Sequence, residues 1–169
     1  IILREIRQKL SNTKGEIVAD GRDDWIGWFE LSKEEVKEKA IENTARIIGE
    51  LKADILCVVE AEDRIALKNF NNIVIRDICK KCFDLIMLID GNDDRGIDVG
   101  IMTRKAYPIV SINSHVHDSD DIGIIFSRDC AEYTIGTPSG QKLLVMVNHF
   151  KSKGYGSFKE SNKKRERQA

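Results

Sequence analysis

An uninterrupted apolar run directly after an amphipathic helix constrains the fold more than any other feature. Apolar residues recur at helical spacing between residues 33 and 52, and Ser32 with Glu35 forms a capping box at the start of that segment. Residues 54–60 then read Asp-Ile-Leu-Cys-Val-Val-Glu, which is typical of a strand covered on both faces. The pattern predicts a helix followed by a buried strand, with Glu60 as the last residue of that strand.

The rest of the chain is richer in strands than in helices. Asp63 is placed to cap a short second helix. Strand-like segments then follow at residues 83–89, 98–103, 107–112, 129–135 and 142–150. Thr-Pro-Ser-Gly at residues 137–140 predicts a hairpin turn between the last two segments. A helix-strand-helix opening before an antiparallel run predicts an α/β or α+β sandwich with mixed, largely antiparallel sheets.

Composition indicates one globular domain over residues 1–169 and a local site for any anionic ligand. The chain is 41% hydrophobic and 33% charged, and no stretch approaches the ~18 apolar residues of a membrane helix, so no membrane partner is predicted. A net charge of -1 argues against nucleic-acid binding by bulk electrostatics. The cations in the last twenty residues are expected to form a solvated helix face: Lys151, Lys153, Lys159, Lys163, Lys164, Arg165 and Arg167. The compartment stays open, with the cytoplasm slightly favoured.

The four cysteines do not have the spacing of a metal site. Cys79 and Cys82 are separated by two residues, but a second pair is missing. Cys57 lies in the apolar run and is predicted to be a small core residue, and Cys130 stands alone. We therefore predict reduced thiols and no zinc.

Two strand ends carry the side chains with the clearest chemistry. Glu60 puts a carboxylate at the end of an apolar strand, and Mg²⁺ prefers such oxygen ligands. Residues 148–153, Asn-His-Phe-Lys-Ser-Lys, bring an imidazole, an amide and two cations to the end of another strand. His149 can hydrogen-bond a phosphoryl oxygen or protonate a leaving oxygen, and a lysine adds positive charge there. From the residues alone, an exposed acid and a structural histidine before a basic turn remain alternatives.

Four motifs occur in a fixed order, at residues 53–60, 94–102, 126–129 and 148–153. In this order they resemble the endonuclease/exonuclease/phosphatase family, with Val59 where a glutamine is more usual. Residues 25–28, Trp-Ile-Gly-Trp, and residues 162–169 are also similar to bacterial members. The resemblance therefore covers nearly the whole chain.

The resemblance implies a role for each polar residue of these motifs. Glu60 would hold Mg²⁺ or Mn²⁺, His149 would orient or protonate near the scissile phosphate, and Asp98 would polarise a site histidine. The implied phosphate-binding residues are Arg95, Arg128, Asn148, Lys151 and Lys153. Glu60 and His149 are expected to leave adjacent strand ends at one edge of the sheet and to face the same cleft.

The resemblance also implies a four-layered α/β sandwich and metal-dependent phosphodiester hydrolysis. Nucleic acid, DNA or RNA, is the first choice of substrate. The alternatives are a phosphatase, a phospholipid or sugar-phosphate phosphodiesterase, and a non-catalytic phosphate-binding module. The family's early asparagine, later Asp-x-Asn and terminal Asp-His pair have no match here. We therefore expect residues 1–169 to form an incomplete domain that carries part of the active site and is inactive by itself. The sequence predicts no oligomeric state.

Overall fold

The chain divides into two compact units in a computed structural model, Ile1–Glu38 and Lys39–Ala169. The structure describes residues 2–21, 24–30, 37–93, 95–154 and 156–169. In the first unit, strand β1 (Ile2–Arg7) pairs antiparallel with β2 (Ile26–Glu30). The predicted capping box at Ser32 and Glu35 lies outside the described residues, and the single domain over residues 1–169 remains a prediction.

The remaining elements begin at residue 38. The helices are α1 (Glu38–Leu51), α2 (Arg64–Asn69), α3 (Arg76–Cys79) and α4 (Phe158–Gln168), with a π-helical segment, Phe70–Ile75, between α2 and α3. The strands are β3 (Ile55–Ala61), β4 (Leu85–Leu88), β5 (Asp98–Thr103), β6 (Ile109–Asn113), β7 (Ser119–Asp120), β8 (Gly123–Ile124), β9 (Cys130–Gly136) and β10 (Lys142–Asn148). The predicted cap of α2 is confirmed, because Asp63 Oδ1 accepts from the Ala66 N–H at 2.6 Å. In the described ranges, no helix is long and apolar enough to cross a bilayer.

Two three-stranded antiparallel sheets form the centre of the second unit. The first sheet has the order β3-β5-β4 and the second has the order β10-β9-β6, while β7 and β8 form a small hairpin. The predicted turn between β9 and β10 is confirmed: the Gly140 N–H donates to the Thr137 carbonyl at 2.9 Å. Gly140 has a φ of +82°, which glycine adopts without steric cost.

Two apolar clusters hold these layers together. The helix-side cluster joins the helices to the first sheet, and its buried members are Ala45, Leu67, Ile75, Phe83, Leu88 and Met102. The inter-sheet cluster draws on both sheets, and its buried members are Val99, Ile101, Ala131, Tyr133, Ile135 and Val147. Helices therefore cover one face of a sheet whose other face packs on a second sheet, which confirms the predicted layered α/β architecture.

The strand after the first helix is less buried than its apolar sequence predicts. β3 is an edge strand of the first sheet, whereas all six residues of the central strand β5 are buried. The prediction of Cys57 as a core residue is wrong, since its side chain is exposed. The Cys79 thiol donates to the Ala45 carbonyl at 3.2 Å. None of the four cysteines, all of them in the described ranges, forms a disulfide. The absence of zinc remains a prediction.

Candidate active site

Glu60 lies in a β-bulge rather than at the last position of β3. The ladder with β5 shifts register between Val59 and Ala61, so Glu60 is the extra residue of the bulge. Val58 and Ala61 both pack against the helix-side cluster. In regular alternation residue 60 would share the face of Val58, and the bulge instead gives that place to Ala61. The carboxylate of Glu60 is thereby turned out of the apolar core, and its side chain is 62% exposed.

The bulge places the backbone of Glu60 in the left-handed region, with a φ of +60°. A residue with a Cβ rarely adopts this conformation, and such local strain costs on the order of 1 kcal/mol or more. The surrounding ladder maintains it on both sides. The geometry therefore fixes a carboxylate at the end of the first sheet at the expense of local stability.

His149 reaches Glu60 from the second sheet. It follows β10 directly, and Val147, two positions earlier, packs between the sheets, so strand alternation points His149 to the same side. Its Nε2 atom lies 3.8 Å from Glu60 Oε1. The expectation that the two residues leave one edge of a single sheet is wrong, because β3 and β10 belong to different sheets. They meet because the two sheets pack face to face.

The environment of His149 disfavours the charged imidazolium. Burial lowers the pKa of this side chain, the Arg128 guanidinium lowers it further, and the Glu60 carboxylate opposes both effects. Nδ1 is buried and has no hydrogen-bond partner among the described residues. The ring is therefore neutral near pH 7, and its Nε2 atom faces a carboxylate.

Arg128 connects the histidine to a neighbouring loop. This side chain is only 5% exposed, and its Nη2 atom lies 2.8 Å from Asp93 Oδ2. Nη1 donates to the carbonyl of His149 at 3.3 Å. Nε is buried and, within the ranges that the structure describes, has no partner. One guanidinium thus bridges two chain segments and retains an unused donor.

The loop that carries Asp93 approaches Arg128 closely. Arg95 donates from Nε and Nη2 to the Asp93 carboxylate at 2.9 Å each, and this contact with Arg95 is the largest cause that lowers the pKa of Asp93 to about 2. Gly91 permits the approach, because a Cβ there would lie 2.8 Å from the Arg128 Cα. The loop therefore holds an ionised carboxylate between two guanidinium groups.

Asp98 is held by this loop rather than by the histidine. Its carboxylate is buried, and Oδ1 accepts from the Gly91 N–H at 2.7 Å. Burial raises the pKa of Asp98, while that hydrogen bond lowers it. His149 Nδ1 is unpaired in the described part of the chain, so Asp98 makes no hydrogen bond to that nitrogen. A role for Asp98 in polarising the histidine remains a prediction.

A cleft of about 470 Å³ opens over Arg128. Its lining is entirely charged or hydroxylated: Asp93, Arg95, Ser127, Arg128, Lys151 and Ser152. The cleft thus contains three of the predicted phosphate-binding side chains. Asn148 and Lys153 are not among the lining residues, and the Asn148 amide donates instead to the backbone carbonyl of Gln168 at 3.1 Å.

The basic end of the chain docks onto the protein instead of forming only a solvated face. Arg167 pairs with Asp120, at 2.7 Å between Nε and Oδ2. Lys164 donates to a carbonyl of β8, and Arg165 Nη1 donates to the Lys151 carbonyl at 3.3 Å. For these three cations the predicted solvated face is wrong, because carbonyls and a carboxylate on distant segments face this side of α4.

Family comparison agrees with these features. A sequence model described as the Endonuclease/Exonuclease/phosphatase family matches residues 13–169. The chain belongs to the endonuclease/exonuclease/phosphatase family. No curated protein and no solved structure matches it. Helices with antiparallel sheets agree with the α/β fold of this family, whose members are generally hydrolases of phosphate esters.

Enzymes of the endonuclease/exonuclease/phosphatase family commonly use divalent metals. Among the described residues, no group of three or more His, Cys, Asp or Glu side chains is arranged to hold an ion. The exposed carboxylate of Glu60 nevertheless fits Mg²⁺, which usually keeps several waters and takes one or two carboxylates together with substrate phosphates. The residues present fit an open site with one protein carboxylate and do not fit a closed cage.

Sequence reasoning missed several residues around the family's motifs. Asp93 and Gly91 belong to the stretch Gly-Asn-Asp-Asp-Arg-Gly at residues 91–96, which predicts a loop but no particular contact. Ser127 and Ser152 lie within the family's motifs but had no role assigned to them, and Gln168 gave no signal because its partners are distant in sequence.

Proposed function

We propose that the protein is a metal-dependent phosphodiesterase that cleaves nucleic acid. The observation that carries this proposal is the meeting of Glu60 and His149 across two sheets, at 3.8 Å, beside the buried guanidinium of Arg128. A carboxylate for a hard cation, a neutral imidazole and a buried cation are the groups that phosphoryl transfer requires.

Each of these side chains has a distinct part in the proposed reaction. Glu60 would hold Mg²⁺, which when bound polarises a phosphoryl oxygen and neutralises developing charge. Arg128 would donate from its guanidinium to a non-bridging phosphate oxygen, and its buried position strengthens that interaction. His149, as a neutral imidazole, would donate a hydrogen bond from its Nε2–H to an oxygen of the phosphoryl group and so stabilise the charge that develops there.

The lining of the cleft favours a hydrophilic phosphodiester over a lipid. Its six residues are charged or carry hydroxyl groups, and Arg95 and Lys151 add positive charge on either side of Arg128. An acyl chain is usually bound by aliphatic or aromatic side chains, and none of the six lining residues is of that kind. On a chain of net charge -1, a small group of cations in this cleft suits recognition of a few phosphates rather than a long duplex.

The test measures cleavage of plasmid DNA and of a chromogenic phosphodiester by the protein expressed from its complete reading frame, with Mg²⁺ and with a chelator. Glu60→Gln and His149→Ala are each expected to lower kcat by roughly 100-fold or more, with His149→Ala affecting kcat more than substrate binding. Glu62→Gln and His117→Ala are matched controls, because both residues are exposed and neither takes part in the contacts that join Glu60, His149 and Arg128.

Three results would count against this function. Turnover that is unaffected by the chelator would show that the reaction does not depend on a metal. Glu60→Gln and His149→Ala variants that are as active as their controls would show that these two residues do not form the active site. Binding of phosphate without any turnover would favour a non-catalytic phosphate-binding module instead.

A further inference from the structure

One buried amide joins α4 to both segments that carry the candidate site. Gln168 lies at the end of α4, and its side chain is 4% exposed. Its Oε1 atom accepts from the Lys151 N–H at 2.8 Å, and its Nε2 atom donates to the Ile125 carbonyl at 3.2 Å. Both ends of the amide are therefore used, in directions that an apolar side chain could not satisfy.

The two bonded backbone groups flank the candidate catalytic side chains. Lys151 is two positions after His149, so the bond to its N–H restrains the segment that follows β10. Ile125 is three positions before Arg128, at the start of the turn that leads into the cleft. Since Arg128 in turn donates to the His149 carbonyl, the amide and the guanidinium close one connected network.

We propose that Gln168 is a positioning residue for the site, which fixes His149 and Arg128 relative to each other through Lys151 and Ile125. The expected effect of Gln168 on activity rests on the proposed phosphodiesterase function. Gln168 does not line the cleft and is not expected to touch substrate. Its contribution is orientation, and a small displacement of a catalytic group can cost on the order of 100-fold in rate.

Gln168 can be separated experimentally from the general docking of α4. Arg167, one position earlier, anchors the same helix through Asp120 and the Gly123 carbonyl. Those contacts lie on the β7–β8 hairpin and make no bond to the His149 segment. Arg167→Ala therefore tests helix docking alone and serves as the matched control.

Two substitutions at Gln168 separate the functions of its amide. Gln168→Met keeps a similar volume and loses both side-chain hydrogen bonds. Gln168→Glu keeps an acceptor for the Lys151 N–H and loses the donor to Ile125. In the protein expressed from its complete reading frame, we expect Gln168→Met to lower kcat by roughly 10- to 100-fold, as outer-shell partners do, with KM changed less than about threefold.

The other two variants should retain more activity. Gln168→Glu is expected to fall between wild type and Gln168→Met, because one of the two bonds remains. Arg167→Ala is expected to keep kcat within about twofold of wild type, although it loses a helix anchor. A merely structural role would instead lower the thermal midpoint of both Gln168→Met and Arg167→Ala without this split in kcat.

Two readouts do not depend on catalysis. Hydrogen exchange at the Lys151 amide should accelerate by about tenfold or more in Gln168→Met and stay unchanged in Arg167→Ala. The NMR shifts of the His149 ring should move in Gln168→Met alone. An inactive wild type would refute the proposed function, while these two readouts would still decide whether Gln168 positions the segment.

The proposal is overturned by any of three outcomes. The first is that hydrogen exchange at the Lys151 amide and the NMR shifts of the His149 ring are identical in wild type and Gln168→Met. The second is that wild type is active and Gln168→Met has the same kcat. An Arg167→Ala variant that loses as much kcat as Gln168→Met would assign the effect to docking of α4.

Discussion

Replacing Asp93 by asparagine tests the charge network beneath the cleft. The carboxylate lies between Arg95 and Arg128, and its pKa falls from 3.8 to about 2 in the folded protein. Since one pKa unit corresponds to ~1.4 kcal/mol, ionisation of Asp93 stabilises the folded state by about 2 kcal/mol. Asp93→Asn also leaves Arg128 as a buried charge without its partner. We expect a total loss of about 2 to 4 kcal/mol in the free energy of unfolding near neutral pH.

The sign of the pH dependence follows from the direction of this shift. A carboxyl group whose folded pKa is depressed contributes stability above its unfolded value of 3.8, and the contribution is lost as the pH falls toward about 2. Wild type should therefore lose more stability than Asp93→Asn between about pH 6 and pH 3. The two proteins should become more alike as the medium becomes more acid.

Urea unfolding followed by circular dichroism at these two pH values gives the required free energies. Asp77→Asn is the control, because Asp77 and its partner Lys80 are 87% and 80% exposed and 3.6 Å apart. No measurable loss is expected for such a surface pair. An Asp93→Asn protein as stable as wild type near neutral pH would refute the reasoning, and so would an equal acid sensitivity of the two proteins.

Two further substitutions address backbone strain and histidine protonation. Glu60→Gly should raise the free energy of unfolding by about 0.5 to 1 kcal/mol in thermal unfolding, because glycine adopts a φ of +60° without strain. The same substitution should abolish magnesium-dependent turnover. Lys80→Gly is the control, because Lys80 has a φ of +55° and its replacement should stabilise the protein without loss of activity. An unstabilised Glu60→Gly protein would show that the bulge is not strained. The hydrogen bond with Asp118 raises the pKa of His115 above 6.5, and a weaker hydrogen bond with Glu132 adds to this effect. Protonated His115 therefore stabilises the folded state below pH 6.5, and this stabilisation is lost as the pH rises through the raised pKa. Thermal melts of His115→Gln and wild type should therefore differ more near pH 5.5 than near pH 8.5, and a constant difference would contradict this assignment.

The elements that sequence predicts well are those set by neighbours in the chain. β5 spans Asp98–Thr103, the same bounds as the strand-like segment predicted after a polar loop. Asp63 caps α2, because an N-cap needs only a side-chain oxygen three residues before its partner. The turn at residues 137–140 likewise depends on local glycine and proline chemistry.

Features that depend on distant partners were not predictable in the same way. An apolar run does not reveal how many neighbours a strand has, so β3 could not be recognised as an edge strand, nor Cys57 as exposed. The bulge at Glu60 adds a residue without a signature of its own in the sequence. The three docked cations of α4 and Gln168 find their partners on segments that local periodicity cannot identify.

Motif order predicts Glu60, His149 and Arg128 as site residues but does not predict the sheets that carry them. The prediction of a shared sheet edge comes from two apolar runs that end in polar residues and from the resemblance, which assigns Glu60 and His149 to one phosphate site. The facing of β3 and β10 instead comes from the inter-sheet cluster, to which both sheets contribute alternate residues. A motif is enough to predict each of these residues from the sequence. Predicting that they meet between two sheets requires knowledge of how the sheets pack.

Three unfavourable features of the second unit lie at these residues. Glu60 is strained, and both His149 Nδ1 and Arg128 Nε are buried polar atoms that no described residue satisfies. Buried polar groups are otherwise nearly always paired in folded proteins, and an exception requires a physical reason. The apolar clusters on either side of the first sheet offset such local costs, because stability is a property of the whole cooperative unit. An arrangement that stabilised only the fold would have placed glycine at the bulge and an apolar residue at position 128. Retaining a carboxylate and a guanidinium there is what a phosphate-binding site requires and what packing alone does not explain.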